Sequence, residues 1–356
     1  VNEDEEFADG AAPLAGIPFF DVGRDGPVAL TELAADRVKE LARHAGRRYP
    51  SALQRIGDRA SRQWLHRSRN PYRHEIAAVA RRTKVPGAIF LNLSYEWGCT
   101  TGVGRDPCGH GNRMLRTLDW PLDGIGRHVV VAAQDGGAGL YYNVTWPGFV
   151  GVLTAMAPQR FCAAINQPPL LRFTASCRLD WAINRGRMWR RTGLPPSHLL
   201  RRVFDSCNTF EEARASLVNT PLCLPAFFVL SGARTGQACV IERLEHTAAV
   251  HDAPASISNH WLALDVASHD RGMDTRRRRA CMEAGRDAAP DGFSWVLPPI
   301  LNWKTRLAVV ANAGREVLLV RGFEDGRPAT RDFALRQFPP AGTTGTRQGR
   351  EAAIPA

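Results

Sequence analysis

From Thr31 onward, apolar residues recur at helical spacing (Leu33, Val38, Leu41, Ala45) with charges between them, and Thr31 stands where an N-cap would. Two further helices are predicted at roughly residues 50–66 and 71–83. The second carries Ile76, Val79 and Ala80 on one side and should stop before Val85-Pro86-Gly87, because a proline disfavours helical backbone in the residue before it. Residues 88–95 form an apolar, partly alternating run that leads straight to Gly98-Cys99. Past the cysteine the period changes. Residues 129–133, 139–145, 150–154 and 161–166 read as short strands of an antiparallel sheet, separated by Gly and Pro turns. A helical block follows at 181–189, 197–207 and 209–218, where Asn208-Thr209 before Glu211-Glu212 reads as a capped start with an acidic first turn. Strands return at 226–230, 238–242, 248–251, around Ile257, and at 307–311 and 316–321. Strands, then helices, then strands predict sheet layers covered by helices rather than a parallel βαβ array.

Composition narrows the class. With 356 residues and 44% hydrophobic content the chain can bury a sizeable core. Its longest apolar runs, such as 221–230, fall well short of the ~20 residues of a spanning helix, and the acidic start is no secretory n-region, so a soluble protein is expected, cytoplasmic rather than exported. Eight scattered cysteines show no metal-ligand spacing; Cys108 with His110 lacks a second pair, so neither a metal nor a cofactor is expected. The net charge of +11 and the run Arg276 to Arg279 would suit an anionic surface such as a membrane. Nucleic acid is not expected, because no reader motif accompanies the charge.

The chemistry concentrates at Cys99. If the chain cuts itself before this residue, the new α-amine can deprotonate the thiol of the same residue; amines near ~7.7–8.0 and thiols near ~8.5 need only a modest electrostatic push to give a thiolate. Arg116 would stabilise that thiolate and Asp119 would hold the ammonium. At i and i+3 on one strand these two project to opposite faces, so a bulge or turn is expected to redirect one of them. Gly98 would let the backbone adopt the strained geometry that attack on its own carbonyl needs. Asn259 can present an uncharged N–H to an oxyanion.

The ordered set Tyr95-Glu96, Cys99-Thr100-Thr101, Arg116-Thr117-Leu118-Asp119, residues 148–154, 161–167 and 225–230, Cys239 to Arg243, Ser258-Asn259-His260-Trp261 and Asp274-Thr275-Arg276 resembles the acid ceramidase and N-acylethanolamine acid amidase family. The resemblance runs from about Asn70 to Arg321. That family lies among the N-terminal nucleophile hydrolases, the linear amide C–N hydrolases of the choloylglycine hydrolase superfamily. It implies an α+β, four-layer αββα sandwich of two antiparallel sheets, preceded by a helical N-terminal segment. It further implies cleavage of the Gly98–Cys99 bond, giving a propeptide or α-subunit over 1–98 and a catalytic β-subunit over 99–340 that stay associated, with 341–356 as a tail. Asn166-Gln167 matches the family's Asn-Glu pair, glutamine allowing hydrogen bonds but no charge. Arg276 matches the family arginine, with the run Arg276 to Arg279 leaving the register open by one or two positions. The resemblance implies an apolar acyl chain in the substrate; apolar Trp146, Phe149 and Leu170 near the predicted site are candidate contacts for it, and a plain core explains them equally well. Gly98 departs from the bulky residue of the ceramidase branch, and Gly-Cys-Thr-Thr is similar to the fungal penicillin acyltransferases.

Three readings follow. The first is a self-processing cysteine amidohydrolase that cleaves N-acyl amides through an acyl-thioester. The second is an acyltransferase that uses the same Cys99. The third is a non-catalytic basic module for anionic polymers or membranes. Ser-His-Asp hydrolysis and phosphate-loop chemistry are set aside, because no Gly-x-Ser-x-Gly occurs and Gly102-Val103-Gly104 is followed by Arg105-Asp106-Pro107, which cannot open a helix. The glycosylation triplets at Asn92 and Asn143 are discounted as lying in predicted strands.

Overall fold

A computed structural model describes residues 13–93, 96–287 and 292–335. The predicted tail and Tyr95 lie outside the described residues. Strand β1 (Phe19–Gly23) precedes helices α1 (Gly26–Leu33), α2 (Ala35–Arg48), α3 (Ser51–Arg67), α4 (Arg73–Thr83) and α5 (Ala88–Leu91). Then come β2 (Gly98–Arg105), β3 (Asn112–Asp119), a 3-10 turn at Ile125–His128, β4 (Val130–Gly136), β5 (Gly139–Thr145), β6 (Thr154–Ala157), β7 (Phe161–Asn166) and β8 (Leu170–Leu171). Helices α6 (Cys177–Arg190), α7 (Pro196–Ser206) and α8 (Phe210–Asn219) lead to β9 (Ala226–Gly232), β10 (Ala238–Arg243), β11 (Ala248–Asp252), β12 (Ala255–Ile257) and β13 (Ser268–His269). The chain continues through α9 (Thr275–Gly285), β14 (Thr305–Asn312) and β15 (Val317–Glu324).

One sheet runs β1-β4-β5-β6-β7-β9-β10-β11, antiparallel except where β1 joins β4 in parallel. The other is built on β12-β2-β3-β14-β15, antiparallel throughout. They pack face to face. Alternation along the strands shows why: in β9, Phe227 and Val229 point into the space between the sheets, whereas Phe228 and Leu230 point out under α7 and α8. In β14, Leu307 and Val309 face inward, while Ala308 and Val310 face α9 and the segment around Phe293 and Ile300. Both faces of each sheet are therefore apolar, and the result is the expected four-layer αββα sandwich. Helices α3, α4 and α5 form a separate apolar cluster with Met188 of α6, capping one end.

Several local expectations change in the fold. Thr31 is no N-cap; it sits inside α1 and its Oγ1 donates to Pro27 O at 2.6 Å, with α1 and α2 broken at Ala34. The run after Gly87 starts as helix, because Asp58 of α3 accepts from Gly87 N, Ile89 N and Phe90 N at 2.8–3.0 Å and caps α5 from a distance. Residues 150–153 do not pair as a strand, since Val150 N donates to Asn92 Oδ1 and Val152 N to Ser197 O instead. The capped start at Thr209 is present: Glu212 N donates to Thr209 Oγ1 and the Glu212 carboxylate takes Asn208 N. Asn92 and Asn143 are both buried, Asn143 in β5 and Asn92 as the C-cap of α5, so neither presents a glycosylation surface.

Candidate active site

Cys99 is the second residue of β2, paired with Leu118 of β3, and it is fully buried. Because Thr101 pairs with Arg116, the side chains of Cys99 and Arg116 fall on the same inner face of the sheet. Arg116 Nη2 lies 3.3 Å from Cys99 Sγ and donates to Ile165 O at 2.9 Å, while its other terminal nitrogen bonds Leu153 O and Thr154 Oγ1. The thiol itself donates to Ile165 O at 3.6 Å. Burial pushes the Cys99 thiol up from its ordinary value, and the Arg116 guanidinium pulls it only partly back. The thiol is thereby favoured over the readily formed thiolate that the free groups would give.

Asp119 lies on the opposite face of β3, as strand periodicity requires. No bulge in β3 redirects it; the irregularity falls on β14, between Thr305 and Leu307. Its carboxylate accepts from Thr305 Oγ1 at 2.9 Å, Asn302 Nδ2 at 3.1 Å and Arg278 Nη1 at 3.3 Å, beside Gly98. Gly98 is not among the glycines with positive φ and lies within strand β2.

Arg276 is exposed and does not reach the site. The arginine that does is Arg278, two positions on, where the periodicity of α9 turns it inward. Its fork donates to Cys99 O at 2.9 Å, Thr100 Oγ1 at 2.7 Å and Asn259 Oδ1 at 2.8 Å, and its Nε to Met273 O at 2.8 Å. Asn259 is also oriented differently from expectation. Its Oδ1 accepts Cys99 N–H at 3.0 Å, and its Nδ2 donates to Gln167 O at 2.7 Å. Asn259 thus grips the bond before Cys99 from the amine side. Asn166 braces this arrangement, accepting from Thr101 Oγ1 and donating to Ile257 O and Ser258 O; Gln167 Oε1 accepts Trp97 N at 3.1 Å.

The three apolar contacts expected of one substrate site are divided between two hollows. Leu170 lines a cleft of about 410 Å³ with Glu96, Gln167, Trp181, Met188 and Arg271. Trp146 and Phe149 line a smaller apolar groove of about 120 Å³ beneath α2, with Leu41, Ala45 and Trp120. Trp146 is largely a core residue, its Nε1 donating to Ile125 O. The fully buried Cys99 lines neither hollow. Gly272 is one of the residues lining the cleft, and a Cβ built on it would meet Arg278 Nη2 at 2.8 Å and Asn259 Oδ1 at 3.5 Å. Residues not singled out from sequence are Arg278, Thr305, Asn302 and Arg271. Arg271 donates to Pro168 O, and burial pushes its pKa down to about 10. The buried face of α9 offered a signal for Arg278; Asn302 and Thr305 come from a distant strand end and left none.

Two antiparallel sheets between helical layers, with a Gly-Cys bond opening an inner strand and arginine, aspartate and asparagine gathered about it, give the four-layer αββα arrangement expected of an N-terminal-nucleophile hydrolase. No protein-family model matches the chain. It is 28% identical over 242 residues to a probable acid ceramidase of Caenorhabditis elegans, covering 60% of this chain and 58% of that protein. It is 26% identical over 236 residues to the acid ceramidase of Homo sapiens, with the same shares. Among solved structures, a Caenorhabditis elegans ortholog of N-acylethanolamine-hydrolyzing acid amidase aligns with a TM-score of 0.47 and 18% identity, over 61% of this chain and 93% of that one. The chain is similar in sequence to these acid ceramidases, and the match spans a little over half of their length.

Proposed function

We propose that this chain is a self-processing cysteine amidohydrolase that cleaves the C–N bond of linear N-acyl amides. One observation carries the reading: Cys99 Sγ has a guanidinium at 3.3 Å while the amide N of the same residue is held at 3.0 Å by Asn259, so the two ends of a would-be catalytic residue already have separate partners. In processing, Sγ attacks the Gly98 carbonyl carbon, the peptide nitrogen leaves as the Cys99 amine, and water releases the Gly98 carboxylate from the thioester. Residues 1–98 and 99–356 are the resulting parts, the second carrying the catalytic segment 99–340, and the packing of the N-terminal helices holds them together. In turnover the freed amine takes the thiol proton, Sγ attacks the substrate carbonyl, and the ammonium returns its proton to the departing amine. Water then hydrolyses the acyl-thioester. Arg116 stabilises the thiolate, and Asp119 with Arg278 fixes the new terminus.

The cleft of about 410 Å³ is of the size that takes small ligands, and Leu170, Trp181, Met188 and Leu224 give it walls for an apolar acyl chain. Among the described residues no helix is long and apolar enough to cross a membrane. Contact with an anionic membrane surface is supported by the outer face of α3, where exposed Leu53 and Ile56 neighbour exposed Arg55, Arg59 and Arg62.

Intact-mass analysis of the purified protein tests the reading. Two fragments meeting at Cys99 are expected, with a Cys99→Ala variant remaining one chain. A wild type that stays intact and releases no amine from a panel of acyl amides would remove the proposal.

A further inference from the structure

We infer that Glu40, His44 and His128 form a binding site for a divalent transition-metal ion, with Zn²⁺ the best chemical match, that clasps α2 to the 3-10 turn behind the catalytic strands. Glu40 and His44 are one helical turn apart on α2, so their side chains lie on the same face. His128 ends the 3-10 turn against that face. Ligand-capable atoms of the three lie within 4.8 Å of one another, and the two imidazole rings are 5.6 Å apart, tilted by 50°. Donors around a four-coordinate Zn²⁺ at bonds of ~2.0–2.1 Å stand roughly 3.4 Å apart, so from separations within 4.8 Å the cluster needs to close by at most about 1.4 Å, within reach of side-chain rotation.

The backbone is shaped for this approach. Gly124, at φ +86°, precedes the 3-10 turn, and a Cβ there would meet His44 Cε1 at 2.0 Å. The imidazole can sit at that place only because the residue beneath it is glycine. A second tie, from Arg37 Nη1 to Arg127 O at 2.8 Å, holds the same two elements together. Two imidazoles and one carboxylate suit Zn²⁺, Co²⁺ or Ni²⁺ better than the oxygen-seeking Mg²⁺ or Ca²⁺. Glu40 is paired with Arg43 at 2.5 Å on the surface and exchanges that partner for the ion; Arg37, Arg43 and Arg127 are the cations that oppose it. Leu41 and Ala45 of α2 and Ile125 of the turn line the apolar groove, so an ion here fixes the roof of that groove. The site stands whether or not the Gly98–Cys99 bond is cut.

The test uses the full chain, stripped with chelator and titrated with Co²⁺ and then Zn²⁺. One ion per chain, visible cobalt absorption bands displaced by Zn²⁺, and a zinc-dependent rise in melting temperature are expected. His44→Ala and His128→Ala should abolish the bands. Glu40→Gln should weaken binding about 10–100-fold, and His246→Ala, on the exposed surface, should change nothing. Gly124→Ala keeps all three donors but displaces His44, so it too should lose the bands. If a histidine variant is unfolded by circular dichroism without metal, Glu40→Gln and Gly124→Ala decide the question. Absence of cobalt bands and of any zinc-dependent melting shift in the wild type, or bands that survive in the Gly124→Ala protein together with undiminished affinity in the Glu40→Gln protein, overturns the proposal.

Discussion

Replacing Arg278 by glutamine should separate the arginine that the tertiary structure uses from Arg276, the one that the order of the sequence favours. Arg278 is buried, with Cys99 O, Thr100 Oγ1, Asp119, Asn259 Oδ1 and Met273 O all around it. Taking it away leaves Asp119, which is almost as buried, with only the neutral donors Thr305 and Asn302. Removing one partner of a buried pair costs roughly 3–5 kcal/mol, because the remaining charge stays out of water without compensation. Arg276 is exposed, and Arg276→Gln should fall within about 0.5 kcal/mol of the parent. Urea unfolding in a Cys99→Ala background reads both variants without interference from processing. Adding Asp119→Asn to Arg278→Gln should restore part of the loss, since the two residues are in contact and cannot be additive. Equal unfolding midpoints for Arg278→Gln and Arg276→Gln would refute the assignment.

Three other outcomes follow from the same geometry. In the uncut chain, native thiol titration with an aromatic disulfide should modify the exposed Cys108, Cys177 and Cys281 quickly and leave Cys99 unmodified; early labelling of Cys99 would show that its burial is wrong. Asn259→Ala removes the acceptor that holds Cys99 N–H and should slow processing and amide turnover, whereas a loss of melting temperature with unchanged rates would make it purely structural. His198 is buried and its Nδ1 lies 3.0 Å from Asn70 Nδ2; burial pushes its pKa down to about 3, below an unfolded value near ~6.5. Its contribution is therefore present above ~6.5 and drains away as pH falls toward 3, amounting to about 3 kcal/mol lost at pH ~4.5. His198→Gln should flatten the acid side of the stability curve, and an unchanged slope would argue against this.

Much of the site could be read before any coordinates because its chemistry is local. Cys99 following a glycine, Arg116 and Asp119 three apart, and Asn259 are fixed by residue type and order; a strand's period of two puts Arg116 and Asp119 on opposite faces, and the bulge or turn expected to redirect one of them does not occur. The alternation that buries both faces of β9 and β14, and hence the layered fold, is likewise written in the order of apolar residues. Three things are not. Which of four consecutive arginines turns inward depends on how α9 is rotated against β2, and that is set by Met282 and Arg278 packing on a surface distant in sequence. That residues 88–91 are helix depends on Asp58 reaching them from α3. And whether Cys99 is thiol or thiolate depends on how completely the surrounding layers exclude water: composition supplies a thiol and a guanidinium, but only the closed sandwich determines that desolvation outweighs their attraction.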